Sequence, residues 1–165
     1  MAGVALVILG ISALLPSQVM TSKWVMVEVE KEQVLNEISD IKSWPKWNGL
    51  LQQVSELEIK TKTSLSDTGS RITWKDQRGR KNQIIVTGIN EKGLATEMMT
   101  EGQRPLLSGF SVEKRQADSV QVVWYIVEDL RWYPWEKFYG IMAADMKGPQ
   151  MQESLYQLRQ RLRGR

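Results

Sequence analysis

The sequence predicts an α+β domain in which a curved antiparallel sheet wraps around a long carboxyl-terminal helix. Three observations indicate this fold class. Most of the chain consists of short runs in which apolar and polar residues alternate, as they do in half-buried strands. Turn-forming sequences separate these runs, which is typical of an antiparallel meander. The end of the chain changes to helical spacing with one apolar face, and that face must pack on the sheet.

The first elements predicted in this domain are a strand and a pair of short helices. Residues Trp24 to Glu30 alternate with period two, and Glu32 to Ile41 has helical spacing. Trp44-Pro45-Lys46-Trp47 ends the helix, because a residue before proline avoids the helical region. Six alternating runs then predict strands at Val54–Lys60, Ser70–Asp76, Asn82–Glu91, Leu94–Glu101, Leu107–Arg115 and Ser119–Asp129.

Two helical pieces follow the last strand. They cover Tyr133 to Met146 and Gln150 to Leu162, and Gly148-Pro149 is expected to interrupt the helix between them. The second piece has a single apolar stripe spaced by four, three and four residues, formed by Met151, Leu155, Leu158 and Leu162. This stripe is expected to cover the apolar face of the sheet.

The first 22 residues carry no charge, and Val4 to Leu15 is almost wholly apolar. This apolar length lies between the ~7–15 residues of a signal peptide and the ~20 residues of a membrane span. We predict that residues 1–22 form a hydrophobic helix that acts as a membrane anchor or signal segment, ahead of a domain at residues 23–165. A buried element of the domain is the alternative. Large domains translocate largely regardless of charge, so we expect an anchored domain on the extracytoplasmic, periplasmic side.

Composition excludes several classes of site. The 165 residues contain no cysteine and no histidine, which excludes disulfides, thiol nucleophiles, Ser-His-Asp triads and imidazole acid–base chemistry. We expect no metal site and no cofactor, because no metal-ligand cluster and no glycine-rich phosphate loop is present. The net charge is +3, and residues Lys147 to Arg165 alone carry five basic side chains against one acidic side chain, so the rest of the chain has a net charge of −1. Cations at the end of the last helix complement the helix dipole, so no nucleic-acid partner is expected.

Several local motifs occur in a characteristic order along the chain. They are Val34 and Ile38 before Trp44-Pro45-x-Trp47, Gly69-Ser70 before Trp74, Val122-x-Trp124, Tyr133-Pro134-Trp135, Asp145-Met146-x-Gly148-Pro149, and Leu155-x-x-Leu158. In this order, from about Trp24 to Leu162, the sequence resembles the START-like or SRPBCC superfamily, which includes polyketide cyclase-like and Bet v 1-like proteins. The resemblance implies a helix-grip fold. It leaves the activity open, because this fold is used by binders, cyclases and co-chaperones.

Alternation in the last strand places Val122, Trp124, Ile126 and Glu128 on one face. The resemblance assigns this face to the interior, where Glu128 would be a buried carboxylate and a candidate site; a solvated strand end is the alternative. Tryptophans outside the strands can stack on a flat ligand or simply pack. The predicted ligand-binding residues are Trp47, Ile72, Trp74, Val122, Trp124, Ile126, Glu128, Trp135, Met142, Met151 and Leu155.

We predict that the domain binds a hydrophobic small molecule or lipid between sheet and helix, in a cavity of ~300–1,000 Å³. No catalytic residue is assigned. One alternative is an enzyme of the cyclase, dehydratase or isomerase type that uses Glu128 or Asp145 with Tyr125 or Tyr139. A second alternative is a stress-related adaptor with a filled core. A membrane is expected as a partner only through residues 1–22.

Overall fold

A seven-stranded antiparallel sheet dominates the computed structural model, which describes residues 17–62, 68–116 and 118–164. Its strands are β1 Gln18–Val27, β2 Leu57–Lys60, β3 Arg71–Lys75, β4 Lys81–Asn90, β5 Gly93–Thr100, β6 Leu106–Gln116 and β7 Ser119–Asp129. They lie in the order β1-β7-β6-β5-β4-β3-β2. Strands β2 to β7 therefore form a meander of neighbours along the chain, and β1 pairs with the last strand.

The helices follow β1 and β7. Between β1 and β2 lie helix α1, a short 3₁₀ turn and helix α2, which span Lys31–Ser39, Trp44–Lys46 and Gly49–Gln52. Helix α3, Pro134–Arg163, follows β7. Its predicted stripe of Met151, Leu155, Leu158 and Leu162 is buried against the sheet. The predicted α+β helix-grip architecture, with a long carboxyl-terminal helix on an antiparallel sheet, is confirmed.

The core lies between the inward face of the sheet and the second half of α3. On β7, the inward residues are Val120, Val122 and Trp124, as the alternation predicts, and all three are buried. The neighbouring strands continue this face, because Val25 pairs with Val122 across β1 and Phe110 pairs with Trp124 across β6. The alternation thus separates the two faces of β7, and the face that the resemblance assigns to the interior is the buried one.

The expected interruption at Gly148-Pro149 is wrong, because α3 continues through Pro149. Proline removes one backbone donor from a helix, and this loss is tolerated where packing holds the chain on both sides. Gly148 is buried against the side chain of Lys23, and Met151 is buried in the core one turn later. Tertiary contacts therefore outweigh the local effect of the proline.

The predicted membrane-anchored, periplasmic location is wrong. Within the described ranges of the chain, no helix is long and apolar enough to span a membrane. Gln18 to Ser22, which fall inside the predicted segment of residues 1–22, belong to β1 and pair with β7. After Pro16 the uncharged sequence alternates in burial as a strand does, so the absence of charge up to Lys23 does not mark one continuous element. Residues 1–16, which carry the rest of the predicted hydrophobic helix, lie outside the described residues.

Candidate ligand-binding cavity

A cavity of about 130 Å³ lies between the inward face of β4 to β7, the segment around Trp44 to Leu50, and helix α3. Most of its wall is apolar, and a few polar side chains interrupt it. The lining residues are Trp44, Asn48, Leu50, Ile84, Thr96, Met98, Leu106, Ser108, Phe110, Trp124, Ile126, Lys147, Gln150 and Met151. The inward faces of four strands thus meet one helix at this space.

Three packed aromatic rings form one wall of the cavity. Phe110 stacks on Trp124 with ring centroids 5.3 Å apart, and Trp44 meets Phe110 edge to face at 5.7 Å. The indole N–H of Trp44 donates to the Ile38 carbonyl at 2.8 Å, and that of Trp124 donates to Ser108 Oγ at 3.0 Å. Because these donors are satisfied by the protein, the rings contribute apolar surface to the cavity.

The segment after Trp44 is fixed to helix α3 by hydrogen bonds. Asn48 is the N-cap of α2, and its side chain accepts from the backbone N–H of Leu50 at 3.1 Å. The backbone N–H of Gly49 donates to Ser154 Oγ on α3 at 2.9 Å. A Cβ at Gly49 would lie 3.3 Å from that oxygen, so glycine allows this close approach. The connection sets the distance between Leu50 and Met151 across the cavity.

One charged side chain lines the cavity, and further polar side chains lie on the neighbouring inward faces of β1 and β7. Lys147 of α3 lines the cavity, and its Nζ lies 2.5 Å from Oε2 of Glu128. Glu128 is buried on the inward face of β7. Lys23 is on the inward face of β1 opposite Trp124, and its side chain passes beside Gly148. Thr21 is buried opposite Ile126, and its hydroxyl has no hydrogen-bond partner within the part of the chain that the structure describes.

The cavity brings together part of the predicted site. Trp124, Ile126 and Met151 line it, and Glu128 contacts it through Lys147. Four further predicted residues, namely Trp47, Ile72, Val122 and Leu155, are fully buried in the core and do not line the cavity. Their packing supports the cavity wall.

The remaining predicted residues lie elsewhere. Trp74 lies in the wall of a second, open hollow of about 1180 Å³ near the β3–β4 turn, which includes Glu56, Asp76 and Lys81 among its polar lining. Trp135 and Met142 are exposed on α3, with 67% and 60% of their surface accessible. Met142 lies nine residues before Met151, which at 3.6 residues per turn is about two and a half turns, so the continuous helix presents it on the opposite side.

The prediction missed several lining residues. Ile84, Met98 and Phe110 lie on the inward faces of β4, β5 and β6, and alternation within those strands could have identified them. Trp44 belongs to the Trp-Pro-x-Trp motif, but it was not among the predicted ligand-binding residues. Lys147 had no such signal, because the predicted helix break beside it left its direction undefined.

The residues of the enzyme alternative are not brought together at the cavity. Asp145 and Tyr139 are exposed, and Tyr125 lies on the face of β7 opposite to Glu128. None of these three residues lines the cavity. Within the described ranges, no group of carboxylates, cysteines or histidines is arranged to hold a metal ion.

No family model and no curated protein matches this sequence. Solved structures do match in fold. A START superfamily protein from Mycobacterium smegmatis is 18% identical, with a TM-score of 0.63, over 88% of this chain and 98% of that one. The aromatase/cyclase Zhui from a Streptomyces species is 10% identical, with a TM-score of 0.64, over 88% of this chain and 94% of that one.

A protein of unknown function from Staphylococcus aureus is 12% identical, with a TM-score of 0.64, over 90% of this chain and 97% of that one. At such low identities the likeness concerns the backbone architecture alone. It agrees with the order of motifs from Trp24 to Leu162 and with the strand order around α3. The chain therefore has the START-like, SRPBCC helix-grip fold.

Proposed function

We propose that this domain binds a small apolar molecule in the cavity between its sheet and helix α3. One observation carries the proposal: an apolar space remains open in a core whose other large side chains are fully buried. Protein interiors are normally close-packed, and an unfilled apolar space costs stability. A ligand that fills the space would recover these contacts.

The size of the cavity limits the ligand. Its volume of about 130 Å³ is smaller than the ~300–1,000 Å³ of sites for drug-sized molecules. It is close to the ~150 Å³ of an engineered apolar cavity that binds benzene. A single aromatic ring or a short hydrocarbon branch therefore fits. A lipid chain would require Met98 and Met151 to move, and unbranched methionine side chains change rotamer easily.

The fold adds support of a general kind. A Streptomyces neighbour with the same architecture is named an aromatase/cyclase. For the present chain we assign binding without turnover, because Asp145, Tyr125 and Tyr139 do not line the cavity, so Glu128 has neither tyrosine of the enzyme alternative there.

Calorimetric titration with toluene tests the proposal, together with the shift in thermal unfolding that a bound ligand causes by mass action. The test variant is Ile126→Phe, which adds volume at the cavity wall. The matched control is Val127→Phe, its neighbour on the opposite face of β7. We expect toluene to bind and stabilise the wild type and Val127→Phe, and to lose both effects in Ile126→Phe. Absence of binding to a folded wild type would refute the proposal.

A further inference from the structure

We propose that the ligand is an amphipathic carboxylate, whose acid group is bound by Lys147 and Lys23 while its apolar part occupies the cavity. This inference rests on the proposed function and names the chemical class of the ligand. It is carried by Lys147, which lines the cavity, and by charged and unpaired polar groups on the inward face of β1 opposite the cavity residues Trp124 and Ile126.

Lys147 is the first of these groups. It lines the cavity, and its side chain is 24% exposed, whereas the side chain of its partner Glu128 is 10% exposed. An ammonium group has three donors, and the ion pair with Glu128 Oε2 is a single contact. Lys147 can therefore keep this ion pair and still donate to a carboxylate in the cavity.

Lys23 is the second group. Its Cε lies 2.7 Å, and its Nζ 3.3 Å, from the position that a Cβ on Gly148 would occupy. The glycine thus leaves room for the Lys23 side chain to pass beside α3. In the β1–β7 register, Lys23 lies beside Trp124, a residue of the cavity wall. Among the described residues, no carboxylate forms an ion pair with Lys23.

Thr21 supplies a third group on the same face of β1. Its side chain is 2% exposed, and its hydroxyl has no hydrogen-bond partner among the described residues. A buried hydroxyl without a partner is costly and unusual. Thr21 lies beside Ile126, another residue of the cavity wall. Its hydroxyl can donate to a carboxylate oxygen.

The balance of charge favours an anion with one negative charge. Lys147 and Lys23 are cationic and Glu128 is anionic, so the three groups carry a net charge of one positive. Burial strengthens the interaction of charges, because the local dielectric constant is lower than that of water. A neutral apolar ligand would leave the excess charge and the Thr21 hydroxyl unpaired. A carboxylate would balance the excess charge and accept a hydrogen bond from the Thr21 hydroxyl.

The experiment compares phenylacetate with phenylacetamide, which has nearly the same shape but no charge, by calorimetric titration. A charge-assisted hydrogen bond should make phenylacetate bind about tenfold more tightly to the wild type. Lys147→Gln should lose this preference. Glu128→Gln should increase it, because it removes the carboxylate beside Lys147 that would repel the acid group of the ligand. Lys114→Gln, at an exposed position of β6, is the control and should behave as the wild type.

The outcomes separate the two proposals. Equal affinities of phenylacetate and phenylacetamide in the wild type would overturn the carboxylate assignment and leave apolar binding standing. Tighter binding of phenyl phosphate than of phenylacetate would overturn it in favour of a phosphate ester. Failure of all three probes and of toluene would refute the cavity itself as a binding site. The wild type and Glu128→Gln decide the question if Lys147→Gln does not fold.

Discussion

Gly93, the first residue of β5, allows β5 and β6 to approach each other. Its φ is +146°, and a Cβ at this position would overlap the carbonyl oxygen of Phe110 on β6. Phe110 belongs to the aromatic wall of the cavity, so a shift here would also move that wall.

We therefore predict that Gly93→Ala lowers the free energy of unfolding by about 2 kcal/mol or more, since backbone strain and overlap both contribute. The control is Gly79→Ala, at a φ of +76° with open space around the added Cβ. It should cost only the ~1 kcal/mol of the left-handed conformation. Urea denaturation of both variants measures the difference, and equal losses would contradict the overlap.

Asp76 organises the turn between β3 and β4. Its Oδ1 accepts from the backbone N–H groups of Arg78 at 2.9 Å and Arg80 at 3.0 Å, and its Oδ2 accepts from Arg80 Nε at 2.8 Å. Desolvation raises the pKa of Asp76, but the hydrogen bonds from Arg80 and Arg78 and the charge of Arg80 outweigh it. The pKa of Asp76 therefore lies below its ordinary value of 3.8.

A carboxyl group with a lowered pKa in the folded state stabilises the protein above its unfolded pKa, and this contribution is lost as the pH falls through the folded pKa. We predict that Asp76→Asn is less stable than the wild type at neutral pH, and that the difference shrinks as the pH falls below 3.8. Urea midpoints over this range measure the effect. A difference that stays constant with pH would show that the charge of Asp76 does not contribute.

At the scale of elements, two arginine–glutamate pairs attach the end of α3 to the rest of the domain. Arg161 Nε lies 2.5 Å from Oε1 of Glu37 on α1, and the Glu37 side chain is only 1% exposed. Arg163 pairs with Glu28 after β1 at 2.9 Å, and the Glu28 side chain is 70% exposed. The two pairs share their chemistry and differ in burial.

Removal of one partner from a buried pair leaves a poorly compensated charge, whereas exposed pairs contribute little. We predict that Arg161→Met lowers the free energy of unfolding by about 2–3 kcal/mol and that Arg163→Met lowers it by less than about 1 kcal/mol. Chemical denaturation compares them directly. If the two losses are alike, burial of Glu37 does not determine the strength of the attachment between α1 and α3.

At the scale of the whole molecule, the fold could be predicted because its signals are local. Alternation gave the bounds of β7, Ser119–Asp129, without error, and helical spacing identified the buried stripe of α3. The continuation of α3 through Pro149 could not be predicted, because it depends on packing of Gly148 against Lys23, and these residues are far apart in sequence. The same is true of the start of β1, whose partner is the last strand.

The cavity was only partly predictable for a related reason. Trp124, Ile126 and Met151 follow from the periodicity of single elements. The positions of Met98 and Trp44 at the cavity could not be predicted in this way, because they depend on how several elements pack against each other. Trp135 and Met142 were predicted to bind the ligand, and a helix break was expected between them and Met151. The unbroken helix fixes their direction relative to Met151 and turns them outward.

The pairing of β1 with β7 has a consequence for biosynthesis. Gln18 pairs with Asp129, so β1 can pair only after a strand that follows it by 111 residues has been translated. Pairs of such large sequence separation close late, because the entropy of a long loop must be overcome. Thr21 and Lys23 lie opposite Ile126 and Trp124 only after β1 has paired with β7, so the proposed carboxylate site forms late.

We predict that, in pulsed amide exchange during refolding, the amides of β1 gain protection after those of the β4–β5 hairpin. Simultaneous protection of both would indicate an early long-range nucleus.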